Sequence, residues 1–334
     1  MSFGVTFAEV TISGFIDQAV QGTTLTSSAG KKTTTNTVGS NLIGQDQITF
    51  GINEDLGDGM SAYANMVFFN NVSANGTNLS TDTGSGVGLK GAFGNIFIGN
   101  VYSQVWQTMA AADASGWGAG SKGSVWTNTN GIGANSQSFV YTLPTFVQGL
   151  DASVEQSYAG ATDSVGDMFG IGVSYATGGL YVKFATNQLK TKSGTTAFTI
   201  KDAAGDATTG TAVGGFVDGS TASLQALAVS YDLGVAKLFF GSQQSSINDD
   251  GDVAESKTTY GIQVPVGSVT LGFGHSTADF TNGSSVKTSL SGDKLFAKYA
   301  LSKRTNVYIA TGKASTSGSS AALTNTGLGI THNF

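Results

Sequence analysis

The sequence has no cysteine, two prolines and one arginine among its 334 residues. Without cysteine the chain can form no disulfide bridge, zinc–thiolate site or thiol nucleophile. Charged residues make up 11% of the chain, less than half of the usual ~25%. A net charge of −6 with a single arginine, Arg304, argues against nucleic-acid binding. No apolar run reaches the ~18 residues of a membrane-spanning helix, so a helical membrane protein is excluded.

Alternation of apolar and polar residues is the main pattern that is present. In the first segment, Val10 and Ile12 alternate with Thr11 and Ser13, which is the period of a β-strand with two different faces. Similar segments follow to a total of about 16, and glycine-rich turns such as 57–59 join them. The pattern predicts an all-β protein, a 16-stranded antiparallel transmembrane β-barrel. Closure is expected because an open sheet edge in lipid would leave backbone groups unpaired.

The connections between these segments fall into two classes. Very short turns alternate with longer polar stretches, among them 22–44, 191–220 and 247–255, as in outer-membrane barrels. A lysine that faces lipid near the middle of the membrane would cost ~2–4 kcal/mol. Charged residues within the strands are therefore assigned to the lumen wall by their parity. The lumen-wall candidates are Asp17, Lys90, Asp151, Glu155, Lys183, Lys237 and Lys298.

One connection is unusually long and rich in Gly, Ser, Asn and Ala. It contains all three tryptophans, Trp106, Trp117 and Trp126, and its charged residues are Asp113 and Lys122. Loops of this length inside a compact fold are usually functional. We interpret the segment as a loop that folds into the barrel and narrows the channel. Trp106 lies close to a strand and is expected to anchor the loop to the wall.

Six ordered pieces of the chain carry a family resemblance. The pieces are EDLGDGMSA, VGLKGAFGNIFIGN, NSQSFVYTLPTFVQGL, YDLGVAKL, YALSKRTNVY and the terminal GITHNF. The chain resembles the general porins of Gram-negative bacteria, in particular the anion-selective porins of proteobacteria. The resemblance implies a homotrimer in the outer membrane, in contact with lipid and lipopolysaccharide, that lets small hydrophilic solutes and ions diffuse passively. It also implies that residues 101–135 form the inward-folded third loop, and that Phe334 is a signal for assembly.

The sequence departs from this family where the resemblance would place basic residues at the constriction. Asn100 and Gly51 occupy those positions, and Arg304 falls at a short turn. Asn100 is therefore a further lumen-wall candidate. We therefore expect a weakly charge-selective pore, with Asp113 and Lys122 contributing one charge of each sign. Asn100 shares the parity of Ile98, so it would point outward unless the strand bends there.

Residues 1–8 are interpreted as a signal remnant or a lead-in, and residues 9–334 as a single barrel domain. Three aspartates in one long connection, Asp249, Asp250 and Asp252, are a weak Ca²⁺ candidate because they lack the full spacing of a calcium loop.

No catalytic residues and no cofactor are predicted. The two histidines, His275 and His332, fall on the lipid side by parity and lack the polar pocket that a catalytic arrangement needs. Two other functions remain open. One is a substrate-specific channel with an aromatic track for sugars, and the other is a structural or adhesive surface protein without a pore.

Overall fold

The structure of the chain is a computed structural model. The described residues are 8–40, 42–70, 79–81, 83–115, 134–158, 166–190, 199–201, 207–212, 221–248, 253–281 and 287–334. They contain one α-helix, α1 (Gln104–Ala111), and no helix in this part of the chain is both long and apolar enough to cross a membrane.

The remaining regular elements are twenty β-strands. Their bounds are β1 Glu9–Thr26, β2 Lys32–Ser40, β3 Gln47–Gly57, β4 Met60–Asn70, β5 Leu79–Thr81, β6 Gly86–Gly91, β7 Gly94–Tyr102, β8 Ala134–Thr142, β9 Leu150–Ser157, β10 Met168–Thr177, β11 Leu180–Lys190, β12 Thr199–Lys201, β13 Ala207–Ala212, β14 Thr221–Asp232, β15 Lys237–Asn248, β16 Val253–Val266, β17 Val269–Thr281, β18 Lys287–Ala300, β19 Thr305–Thr316 and β20 Ala322–Asn333.

Eighteen of these strands form one closed antiparallel sheet, and β12 and β13 form a separate pair. Two barrel strands are each built from two pieces, because β2 and β3 both pair with β1, and β5 and β6 both pair with β4. The barrel therefore has 16 strands, as the alternation predicts. It closes between β1 and β20, which pair from Phe15↔Asn333 to Thr26↔Ala322.

The turns are short at the end of the barrel where β1 begins and β20 ends. Between β3 and β4, Gly57, Asp58 and Gly59 all have positive φ, at +81°, +52° and +73°. Positive φ at successive positions is strained for most residues but accessible to Gly and Asp. The predicted glycine turn is confirmed here.

The polar loop predicted over 22–44 is wrong. Strand β1 continues to Thr26, and β2 returns beside it from Lys32 to Ser40, so only a short turn joins them. Hydroxyl groups stabilise this hairpin across the strands, for example Thr24 Oγ1 and Thr34 Oγ1 at 2.9 Å. Threonine is polar but β-branched, and it favours strands even where both faces meet water. Low hydrophobicity therefore did not indicate a loop.

The outer face of the barrel is apolar towards the short turns and polar towards the long connections. On β18 the outward residues change from Leu295 to Asp293. Asp293 Oδ1 lies 2.7 Å from Nδ1 of His275 on β17, and His275 packs beside Tyr260 on β16 with ring centroids 5.1 Å apart. An aromatic and charged row at this boundary is typical of a barrel surface that leaves the hydrocarbon for the headgroup region.

Candidate functional site in the barrel lumen

The lumen is defined by the residues on the inner face of each strand. On β10, Phe169, Ile171 and Val173 are exposed on the outside, whereas Gly170 and Gly172 between them are buried. Their burial shows that other atoms of the chain cover the inner surface of this part of the wall.

Helix α1 supplies much of that cover. It begins after Ser103, whose hydroxyl accepts a hydrogen bond from Trp106 N at 3.1 Å, as an N-cap does. Its apolar side, Val105 and Met109, packs in one buried cluster with inward side chains of the wall. Those wall residues are Met168, Ala185, Leu189, Ala222, Leu224, Ala226, Ala228, Ala278, Phe280, Leu290 and Ala314. Apolar burial therefore holds the helix against the inside of the barrel.

Two glycines of β10 let the helix approach closely. A Cβ atom at Gly172 would lie 2.2 Å from Gln104 Oε1, and one at Gly170 would lie 2.3 Å from Asn187 Nδ2. The start of the helix is also held by hydrogen bonding, because Val105 N donates to Asn187 Oδ1 at 2.8 Å. The glycines are thus explained by the close approach of the loop.

The described end of the loop is fixed to the barrel wall by an ion pair. Lys294 Nζ on β18 lies 3.4 Å from Asp113 Oδ2 and donates to Ser115 Oγ at 2.8 Å. Ser115 donates to Asp113 Oδ1 through its backbone N at 2.8 Å and its hydroxyl at 2.7 Å. Gln263 on β16 donates to the carbonyl oxygen of Ala114. We call residues 113–115 the loop tip.

Asp113 therefore occupies a different environment from the one expected. Its side chain is only 8% exposed and its charge is balanced by a wall lysine. The sequence prediction omitted Lys294, although it has the same parity as the lumen-wall candidate Lys298. The pairing joins residues 181 positions apart, so no local pattern could reveal it.

Other lumen-wall candidates form smaller groups. Lys183 Nζ donates to Gln107 Oε1 on the helix at 3.2 Å. The carboxylates of Asp151 and Glu155 attract its positive charge. The amines of two more candidates lie over aromatic rings. Lys90 is 4.6 Å from the ring centre of Tyr63, and Lys237 is 5.2 Å from that of Phe239. Lys298 pairs with the inward Tyr308 in the β18–β19 ladder.

The sequence analysis also missed a second buried ion pair on the inner face. Lys257 Nζ lies 2.7 Å from Glu255 Oε1, and the two side chains are 0% and 4% exposed. Ser245 Oγ donates to Glu255 Oε2 at 3.0 Å. The spacing of two residues on an alternating strand places both side chains on one face, so this pair could have been found by parity.

Three of the predicted loop residues and the calcium candidate are not among the described residues. Trp117, Lys122 and Trp126 fall in 116–133, and Asp249, Asp250 and Asp252 fall in 249–252. In the described part of the chain, no group of three or more His, Asp or Glu residues could hold a metal ion.

Trp106 and Asn100 lie where the loop leaves the wall. The Trp106 ring stacks on Tyr102, with centroids 3.8 Å apart and planes 8° from parallel. The β7–β8 ladder shifts register between Gly99 and Val101, so Asn100 is the residue at the irregularity. Its Oδ1 atom is buried. Strict alternation, which would point Asn100 outward, therefore fails at this residue.

Phe334 lies at the closing seam of the barrel. Its backbone N donates to Gly14 O at 3.1 Å, and its carbonyl accepts from Gly14 N at 3.0 Å. A Cβ at Gly14 would lie 2.3 Å from the Phe334 ring. The C-terminal residue therefore extends the pairing that closes the sheet.

The closed barrel, its apolar outer belt and its charged interior with an inward loop define an integral β-barrel channel. Residues 3–319 match the family model described as Gram-negative porin, and the chain belongs to this family. It is an outer-membrane porin, and the predicted class, fold and location are confirmed.

Several solved structures share this fold. An anion-selective porin from Comamonas acidovorans has a TM-score of 0.76 at 22% identity, covering 98% of this chain and 100% of that one. OmpT of Vibrio cholerae carrying a loop L8 deletion has a TM-score of 0.73 at 16% identity, covering 98% and 99%. Salmonella typhi OmpF in complex with daunomycin has a TM-score of 0.66 at 13% identity, covering 97% of each chain. The search of curated proteins finds no matching sequence.

Proposed function

We propose that this porin is a passive diffusion channel for small hydrophilic solutes and ions, with weak charge selectivity and no enzymatic activity. The main support is the Asp113–Lys294 pair, because it neutralises the charge that the described part of the loop brings into the lumen. Glu255 and Lys257 likewise compensate each other. Selectivity in a pore depends on the field of the charges that line it, and paired charges produce only a weak net field.

The remaining wall charges are of mixed sign. Lys183 lies near Asp151 and Glu155, and Lys90 lies beside an aromatic ring. At ~0.15 M salt the Debye length is about 8 Å, so distant charges are largely screened. Lysine is also a flexible and strongly hydrated point charge. These properties favour the passage of neutral and zwitterionic solutes, and they argue against a strong preference for either anions or cations.

The test is the reversal potential of the purified porin across a tenfold KCl gradient. We expect a value closer to zero than to either Nernst limit, which is about 59 mV for a monovalent ion. A value near the chloride limit would contradict weak selectivity and point to a basic cluster. The absence of any conductance step would contradict the channel itself.

A homotrimer is part of the same proposal. One similar solved structure, OmpT of Vibrio cholerae, is described as a trimer form. In this chain the outward residues of β1 include Val10 and Ile12, which are 63% and 60% exposed in the single chain. An apolar sheet face of this kind can pack against lipid or against a second barrel.

A substrate-specific channel is the second candidate. It is favoured by the stacked pair of Tyr63 and Phe97 on the inner face, with ring centroids 6.0 Å apart and planes 19° from parallel. Aromatic faces in a lumen suit the apolar faces of sugar rings. Saturable sugar flux at low concentration would support this candidate, and flux that stays linear in concentration would support general diffusion.

A further inference from the structure

The second barrel strand is interrupted in a way that loop 3 does not explain. Strand β1 pairs with β3 up to Phe15↔Gln47 and with β2 from Gln18↔Ser40 onward. Two residues of β1 therefore face six residues of the partner strand. Ordinary bulges place one extra residue in the strand, whereas this interruption has room for a short segment to leave the wall. We call residues 42–46 the inlet.

A single buried carboxylate holds the inlet. Asp17 Oδ2 accepts hydrogen bonds from three successive backbone N–H groups, those of Leu42, Ile43 and Gly44, at 2.9, 2.8 and 3.0 Å. Its other oxygen, Oδ1, accepts from the hydroxyl of Tyr308 on β19. Successive N–H groups that converge on one anion form a strong and specific arrangement.

The far end of the inlet is fixed as well. Asp46 Oδ1 accepts from Asp17 N at 2.5 Å, and Asp46 Oδ2 accepts from Gln18 Nε2 at 2.8 Å. Both aspartates are 0% exposed. Hydrogen bonds at both ends of so short a segment determine its position.

The inlet lies on the lumen side of the wall. Leu42 is 5% exposed and belongs to a buried cluster with Ala19, Phe296, Tyr308 and Ala310. These four residues have the lumen parity of their strands, and a Cβ at Gly327 would lie 2.5 Å from Leu42 Cδ2. The side chain therefore occupies space inside the barrel.

The inlet and the loop tip also share a small cavity. Leu42 and Ile43 line it from one side, Ser115 from the other, and Lys294 and Phe296 from the wall. The helix lies against β10, β11, β14 and β15. The tip reaches β16 and β18, and the inlet covers the wall beside β19, β20 and β1. Together they form a continuous inner layer on one side of the lumen.

We propose that the inlet is a second constriction element, and that Asp17 positions it so that inlet and loop tip jointly set the cross-section of the pore. Asp17 thus acts as a positioning residue rather than as a charge that meets the solute. The inference rests on the proposed channel function, since it concerns the path of solutes through the lumen.

The first test replaces Asp17 by alanine, which leaves three N–H groups without their acceptor. Single-channel conductance in planar bilayers should rise about 1.5-fold or more, because a wider pore conducts better. The pore should also admit larger polyethylene glycols than the unmodified pore does. Asp293→Asn is the matched control, because it removes a carboxylate from the outer face and should leave conductance unchanged. Unchanged conductance and size limit in a folded Asp17→Ala barrel would overturn the proposal.

A second test does not depend on the folding of that variant. The chain has no cysteine, so Ile43→Cys introduces a unique thiol in the inlet. Covalent labelling with a charged methanethiosulfonate reagent should lower the current stepwise. Val20→Cys, on the lipid-facing side and 65% exposed in the single chain, is the matched control. Labelled Ile43→Cys channels with unaltered current would refute the inlet's role, whereas an unmodified porin that never conducts would refute the channel function itself.

Discussion

The ion pair between loop tip and wall makes the sharpest prediction for channel behaviour. We consider Lys294→Met, which keeps the length of the side chain but removes its charge. Asp113 would then be buried without a cation, although its two hydrogen bonds from Ser115 would remain. Breaking one partner of a buried ion pair typically destabilises by about 3–5 kcal/mol, and the Ser115 bonds place this case at about 3.

That free energy should act on the loop tip rather than on the barrel. The tip can expose Asp113 to water by leaving β18, whereas the strand ladder around Lys294 remains paired. About 3 kcal/mol corresponds to roughly a hundredfold shift between the held and the released tip. A tip that is released for part of the time should produce frequent brief changes in current.

The assay is single-channel recording at fixed voltage, with noise and closing frequency as readouts. Lys294→Met should increase both, and the double variant Asp113→Asn with Lys294→Gln should restore much of the quiet behaviour, because a neutral amide pair can still hydrogen-bond. Lys313→Met, which changes an exposed lysine on the outer face, is the control. Recordings of Lys294→Met that match the unmodified protein, or that match Lys313→Met, would refute this account of the loop.

Three further predictions use simpler assays. Deletion of Phe334 should strongly reduce the amount of the porin in the outer membrane of cells, and so should Phe334→Ala if the ring is the assembly signal. Normal amounts of Phe334→Ala would mean that only the backbone hydrogen bonds to Gly14 matter. Gly172→Leu should lower the thermal unfolding temperature of the barrel, because overpacking against Gln104 typically costs about 1–3 kcal/mol. Gly274→Leu meets open space and should unfold at the same temperature as the unmodified protein. The unheated protein should migrate on a denaturing gel far above its monomer mass of 33.9 kDa and collapse on boiling, and a monomer in mild detergent without a crosslinked trimer would contradict the homotrimer.

Alternation in the sequence was sufficient to predict the barrel and its two faces. The period of two is a local property of every strand. A charged residue that faces lipid rather than water costs several kcal/mol, so its side of the strand is strongly determined. Strand number, the glycine turn at 57–59 and the inward direction of Lys183 all follow from this rule. The same rule failed for β2, because hydroxyl-rich strands beyond the membrane carry no apolar signal.

The contents of the lumen were decided by tertiary structure. The partners Asp113 and Lys294, or Asp17 and Tyr308, are separated by 181 and 291 positions, and they meet only because the sheet closes on itself. Parity tells that such side chains point inward but not which of them are neighbours, since neighbours depend on register and on where each strand is interrupted. The sequence by itself determined the wall of this porin. The path through it depends on long-range pairing of charges and backbone groups, which only the closed barrel brings together.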